Sequence, residues 1–356
     1  MSKSFGVLCC FSLALCLGGC ADGESNTVVG GSTIVPESPE LIAAREAEKR
    51  RRVDWRDWGQ DGVGPTEADL LQLQERPELE ILSLENCRIN DEDLALLKDL
   101  VNLKSLSLGG NSITDSGLVH LRDMVNLRTL SLDGMSIGES GLSHLSRLKQ
   151  LEYLGLYDTT LSGETLAHIQ QFKNLRKLSL MTVRVTGNGL KHLEKLSKLE
   201  VLRLSYASID SDDLECVKSL KNLRELHLQH ASADDAALRH VAGATKLQRL
   251  NLSETGVTNA GLTHLLQLPQ LEVLYFGKTK IDDDGMRQIA KMGDLKELWL
   301  NGTSVTDAGL AELAGLKGLR VLGLHGAQVT EAGVRKLNEA LPNCRIDAHF
   351  PESQNE

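Results

Sequence analysis

Aromatic side chains are scarce, making up 3% of 356 residues. Aliphatic residues must therefore build whatever core exists, and leucine is the main candidate. Apolar residues reach 41%, which excludes wholesale disorder. Basic residues give no excess: Lys plus Arg number 39 against 49 Asp plus Glu, a formal net charge of −10. A chain of that balance lacks the cations that displace counterions from phosphate, so nucleic acid is excluded as a partner. Four of the seven cysteines (Cys9, Cys10, Cys16, Cys20) crowd the first 20 residues. The other three, Cys87, Cys216 and Cys344, are odd in number and far apart, which argues against a disulfide framework and for small buried side chains. The mostly apolar run from Phe5 to Leu17 is 13 residues long, too short for a membrane-spanning helix. G-x-S-x-G, H-E-x-x-H, Walker, G-x-G-x-x-G and C-x-x-C motifs are all missing. No catalytic residue, cofactor or resident metal is expected.

The N-terminus reads as an address. Lys3 precedes the apolar run, and the run closes on Leu17-Gly18-Gly19-Cys20. Residues 1–19 read as a signal peptide. The small residues ahead of Cys20 resemble a bacterial lipobox. That resemblance implies cleavage before Cys20, lipid on its thiol and a membrane anchor in the cell envelope; the rival reading is an ordinary secretory signal. Asp22 stands one place beyond the position that resembles an inner-membrane retention signal, which points to the outer membrane, facing the periplasm or the exterior. Residues 20–40, rich in Gly, Ser, Pro and Thr, read as a flexible tether, and 41–52 as a charged helix.

The rest of the chain is periodic. Leucine stands at 79, 103, 127, 151, 175, 199, 223, 247, 271, 295 and 319, a step of 24 without insertion. Leucine recurs three residues on, and again two further on except at Phe276, giving L-x-x-L-x-L in eleven repeats. Counting from the first leucine, positions 4 and 6 alternate like a strand, whereas apolar residues at 16, 19 and 22 follow a helical spacing. Position 12 carries a capping side chain in ten of eleven repeats (Gly138 is the exception), and position 15 is often Gly. No single strand–turn–helix unit buries its apolar edge alone, so the units must stack with their strands in parallel.

These phrases resemble the leucine-rich repeat family. Val305-Thr306-Asp307-Ala308-Gly309-Leu310 is similar to the cysteine-containing repeats of F-box proteins and to many bacterial members. The resemblance covers 79–348 and implies an α/β solenoid: a curved right-handed horseshoe with a parallel sheet on its concave face and short helices on its convex face. No F-box-like segment precedes the repeats. Position 9, often Asn or Cys in the family, is mixed here, so a full ladder is not expected. Residues 53–78 read as an N-terminal capping repeat in which Trp55 and Trp58, one period before Leu79 and Leu82, close the core. The eleven repeats fill 79–342, a capping strand falls in 343–350, and 351–356 read as a disordered tail.

Positions 2, 3, 5, 7 and 8 point away from the leucine core. Outside the cap the chain has five Tyr or Trp residues, and all fall on these positions: Tyr153, Tyr157, Tyr206, Tyr275 and Trp299. Arg203, His227, His230, Arg249, Lys278, Asn301 and His325 share the same face. Tyr, Trp and Arg dominate binding hot spots. The concave face is thus expected to recognise a protein, or less readily a glycan, without chemistry. Two alternatives are a structural envelope protein that self-associates, and a metal or enzymatic protein using His227, His230 and Glu254. The histidines at position 18 (120, 144, 168, 192, 240 and 264) form one row on the helix side and read as structural.

Overall fold

The computed structural model describes residues 47–350 apart from 57, 59–62 and 187. The expected signal peptide, Cys20, tether and tail lie outside the described residues. So do residues 41–46 of the expected charged helix; 47–51 are helical, and Arg52 already begins the first strand.

Thirteen strands of three residues form one parallel sheet in chain order. The middle residue of each faces the middle residue of the next, as in Leu82↔Leu106, Leu226↔Leu250 and Leu322↔Ile346. These central leucines and those at position 6 are 0–1% exposed. Burying a leucine contributes about 1.5–3 kcal/mol, so a column repeated at every step fixes the register. A slip of one residue would turn every leucine outward. Phe276 is fully buried in the same column, and Phe172, at position 22, is fully buried in the same core. Cys87, Cys216 and Cys344 are free thiols and buried.

The helix side is held by a stitch between repeats. Asp at position 13 accepts from the backbone N–H and the hydroxyl at position 12 of the next repeat. Asp91 holds Thr114 at 2.8 and 2.6 Å, and Asp235 holds Thr258 likewise. Asp283–Thr306 and Asp307–Thr330 repeat the geometry. The same carboxylate explains the glycines at position 15: a Cβ on Gly117, Gly261, Gly309 or Gly333 would overlap the Asp of the preceding repeat. Position 12 also caps its own segment, as Thr306 does for Ala308 N–H and Thr330 for Gly333 N–H.

Repeats 3 to 6 lack the stitch, because Glu139, Gly163, Gly187 and Ser211 replace Asp at position 13. A second, two-stranded parallel sheet appears there instead, pairing Thr160–Ser162 with Arg184–Thr186. The following segments turn 3-10 helical at His168–Gln171, Gly189–Lys195 and Ser211–Ser219. From repeat 9 onward the segments are mainly α-helical: Asp283–Ile289, Asp307–Glu312 and Glu331–Ala340.

The N-terminal cap departs from expectation. Val53, not Trp58, pairs with Leu82 and enters the core, at 6% exposure. Strand alternation requires a compact apolar residue there, and Val53 lies between exposed neighbours. Trp55 packs partly against the core, but Trp58 is 42% exposed and meets Trp55 edge-on at 4.7 Å. The helix Glu67–Gln74 buries Leu70 and Leu73 and begins with a reciprocal Thr66–Asp69 capping box. At the other end, Arg345–Asp347 forms the last strand.

Candidate functional site on the open face of the sheet

Because the leucines point inward, positions 3 and 5 of every strand point outward, and positions 7 and 8 continue that face through the turn. Position 8 is left-handed in all eleven repeats. Gly110, Gly134, Gly302 and Gly326 adopt it freely; Asn86, Asp158, Thr182, Tyr206, His230, Glu254 and Lys278 adopt it with φ between 53° and 61°.

Four of those residues, in repeats 6 to 9, form one line. The rings of Tyr206 and His230 stack at 4.5 Å. His230 Nε2 lies 2.8 Å from Glu254, and Lys278 Nζ lies 3.4 Å from the same carboxylate. Tyr206 is 44% exposed.

A second group lies on positions 3 and 5 of repeats 6 to 10. Tyr275 and Trp299 face each other in register, with rings parallel at 5.9 Å. Trp299 lies flat because Gly323 follows it in register; a Cβ there would overlap the indole. The indole Nε1 is buried without a partner, so the ring offers carbon to solvent. Glu225 sits between Val201 and Arg249 in register. The His227 ring, 3.7 Å away, holds the Glu225 carboxyl below the usual carboxylate range, with Arg249 and Arg203 adding to the effect. Burial raises the Tyr275 hydroxyl, assisted by Glu297 and opposed by Arg249.

The remaining expected residues stand apart from these groups. Asn301 accepts from His325 N–H at 2.9 Å, and His325 reaches Asp347 at 2.8 Å near the C-terminal edge. Tyr153 and Tyr157 lie in repeat 4, where burial raises the Tyr153 hydroxyl above its usual range. The weighed triad of His227, His230 and Glu254 is split: His227 faces Glu225, and only His230 meets Glu254. Among the described residues, no three His, Cys, Asp or Glu side chains converge as metal ligands.

Sequence reading missed Glu225, Glu297 and Gly323. Aligning columns 3 and 5 of neighbouring repeats is the signal that finds them. Two histidines of the position-18 row meet carboxylates on the helix side. His168 meets Glu139 at 3.4 Å, His240 is buried and meets Asp212 at 3.5 Å, and burial pushes the Cys216 thiol up to about 12. A thiol so raised stays protonated and unreactive.

Residues 77–137 match the leucine rich repeat family profile. Among solved structures, an internalin (InlF) from Listeria monocytogenes is similar with a TM-score of 0.58 and 21% identity, over 81% of this chain and 90% of that one. The fold is a leucine-rich repeat solenoid. A TDR receptor structure gives 0.54 at 14% identity, over 81% of this chain and 51% of that chain. A Leptospira interrogans leucine-rich repeat protein, LIC12759, gives 0.49 at 19%, over 85% and 98%. No curated protein sequence matches the chain. The open face of this solenoid carries both groups described above.

Proposed function

We propose that this chain is a non-catalytic leucine-rich repeat scaffold, lipid-anchored to the bacterial envelope through Cys20, that binds a protein on the open face of its sheet. The line Tyr206–His230–Glu254–Lys278 carries the reading. A non-glycine residue in left-handed backbone costs about 1–2 kcal/mol; six consecutive repeats hold one, from Asp158 to Lys278, and the last four of these, with larger side chains, form the line. Their mutual contacts return little, because exposed ion pairs contribute about 0–1 kcal/mol. Glycine occupies the same position in four other repeats. Strain kept without a folding benefit is a mark of function. Beside the line, the Tyr275–Trp299 pair supplies flat apolar surface, and Arg203 and Arg249 supply directional donors.

The test compares the full chain with two variants as bait in native envelope extract. One carries glycine at 206, 230, 254 and 278; the other carries Tyr275→Ala and Trp299→Ala. A protein retained by the wild type and lost from both variants supports the reading. A protein retained equally by all three overturns it. The anchor is tested separately: fatty-acid label should enter the wild type and be lost in Cys20→Ala.

A further inference from the structure

The first four repeats present a different open face. Position 5 there is small in every strand: Ser83, Ser107, Ser131 and Gly155 lie side by side in register. Position 7 runs Glu85, Gly109, Asp133, so no side chain stands between the two carboxylates. Their strands are two steps apart, roughly 9–10 Å at the backbone.

The charges do not cancel. Arg52 and Arg56 hold Asp54 at 3.3 and 3.0 Å, and Arg56 also lies 3.7 Å from Glu85, which leaves Asp133 as the carboxylate without a cation. Among the described residues Asp133 makes no ion pair. It accepts from Ser131 Oγ and from Tyr157 N–H, each at 2.7 Å. Gly155 permits this convergence: a Cβ there would lie 2.8 Å from the Asp133 carboxylate and 3.0 Å from the Tyr153 hydroxyl. Burial raises both carboxyls, and the Asp133 charge adds to the effect on Glu85. At the head of the trough, the hydroxyl of Ser83 is an unmet polar group; the residue is 8% exposed and its Oγ has no partner. Ser83 lies between Leu82 and Leu84, both buried in the core, so its side chain is on the trough side. Tyr157, 44% exposed, stands beside Asp133.

We propose that this trough receives an arginine side chain from an extended segment of a partner protein, with the guanidinium between Glu85 and Asp133. The planar fork has five donors, which suits two carboxylates and a hydroxyl acceptor better than an ammonium point charge does. Tyr157 offers a ring face to the same cation. The small floor lets the partner backbone lie close to the sheet. These residues lie apart from the strained line in repeats 6 to 9, so the two proposals stand or fall separately.

The probe is a capped hexa-arginine peptide, titrated calorimetrically into the full chain at neutral pH and 150 mM salt, with hexa-citrulline as its uncharged isostere. The Glu85→Gln/Asp133→Asn double variant should bind hexa-arginine at least tenfold more weakly than the wild type. A Glu92→Gln/Glu194→Gln variant, which removes two exposed charges on the helix side, should stay within twofold of it. Hexa-citrulline should not bind. Equal losses in both variants, or no binding by the wild type, would overturn the proposal. A second measurement needs no variant: hexa-lysine, whose ammonium groups lack the planar fork, should bind the wild type several-fold more weakly than hexa-arginine, and equal or tighter binding would overturn the proposal.

Discussion

Repeats 7 to 11 and repeats 3 to 6 share one sheet and one leucine column, yet their helix sides are built differently. In the later stretch, Asp235, Asn259, Asp283 and Asp307 each reach the next repeat, and Gly261, Gly285, Gly309 and Gly333 make room for them. In the earlier stretch Glu139, Gly163, Gly187 and Ser211 take the Asp position, and repeats 6 and 7 have Asp213 and Ala237 where glycine stood. Glycine at position 15 thus makes room for the previous repeat: for its carboxylate or amide side chain in the stitched stretch, and for the backbone of Gly163 at Gly189. The chain repairs the gap with the small sheet Thr160–Ser162/Arg184–Thr186 and leaves an open cleft of about 670 Å³ whose lining includes Glu139, Gly163, His168 and His192. In a solenoid, stability is a sum of repeat and nearest-neighbour terms, so a missing stitch weakens one interface without dissolving the rest.

The sharpest way to break the comparison is Gly309→Val. Its side chain would meet the Asp283 carboxylate inside an intact stitch, and a loss of about 3 kcal/mol is expected in denaturant unfolding. Asp283→Ala removes two charge-assisted hydrogen bonds and should cost about 2 kcal/mol. Ser211→Ala, in the unstitched stretch, removes a bond to Asp234 at an exposed site and should cost about 0.5 kcal/mol. Amide exchange read alongside should be faster over residues 160–195 than over 283–340.

Glycine at all four positions of the strained line should leave stability unchanged or raise it by up to about 2 kcal/mol, since relief of backbone strain offsets the lost contacts. A fall of that size would instead make the line structural.

The smallest effect concerns Asp133. Its folded pKa is raised, chiefly by burial, so the folded state binds the proton more tightly than the unfolded one. The charged carboxylate then destabilises the fold at neutral pH. That penalty grows as pH rises from the unfolded toward the folded pKa, and it disappears once pH falls below both. Asp133→Asn should gain about 0.5 kcal/mol at pH 7, a figure discounted for partial exposure, and nothing in acid. Melts at the two pH values check it.

How much was legible differs by element. The leucine column could be read directly because one residue type recurs at one spacing, and the outward positions followed by strand alternation. The cap departs from the period: Trp58 sits one period before Leu82, but Val53, 29 residues before it, takes the core position. A cap is not bound to the period, since it has only one neighbour to match. The left-handed turn showed in the glycines at 110, 134, 302 and 326 but was hidden at 206, 230, 254 and 278, where side chains overlay the same backbone.

The sequence by itself determined the solenoid, because a 24-residue apolar repeat has no other way to bury its edges. It also determined which residues face out, since alternation about a buried leucine leaves no choice. Tertiary structure decided which of those residues meet. His230 found Glu254 while His227 found Glu225, and Trp299 came to lie on Gly323. Those pairings depend on ångström-scale lean between neighbouring strands, and a one-dimensional period carries no information about lean.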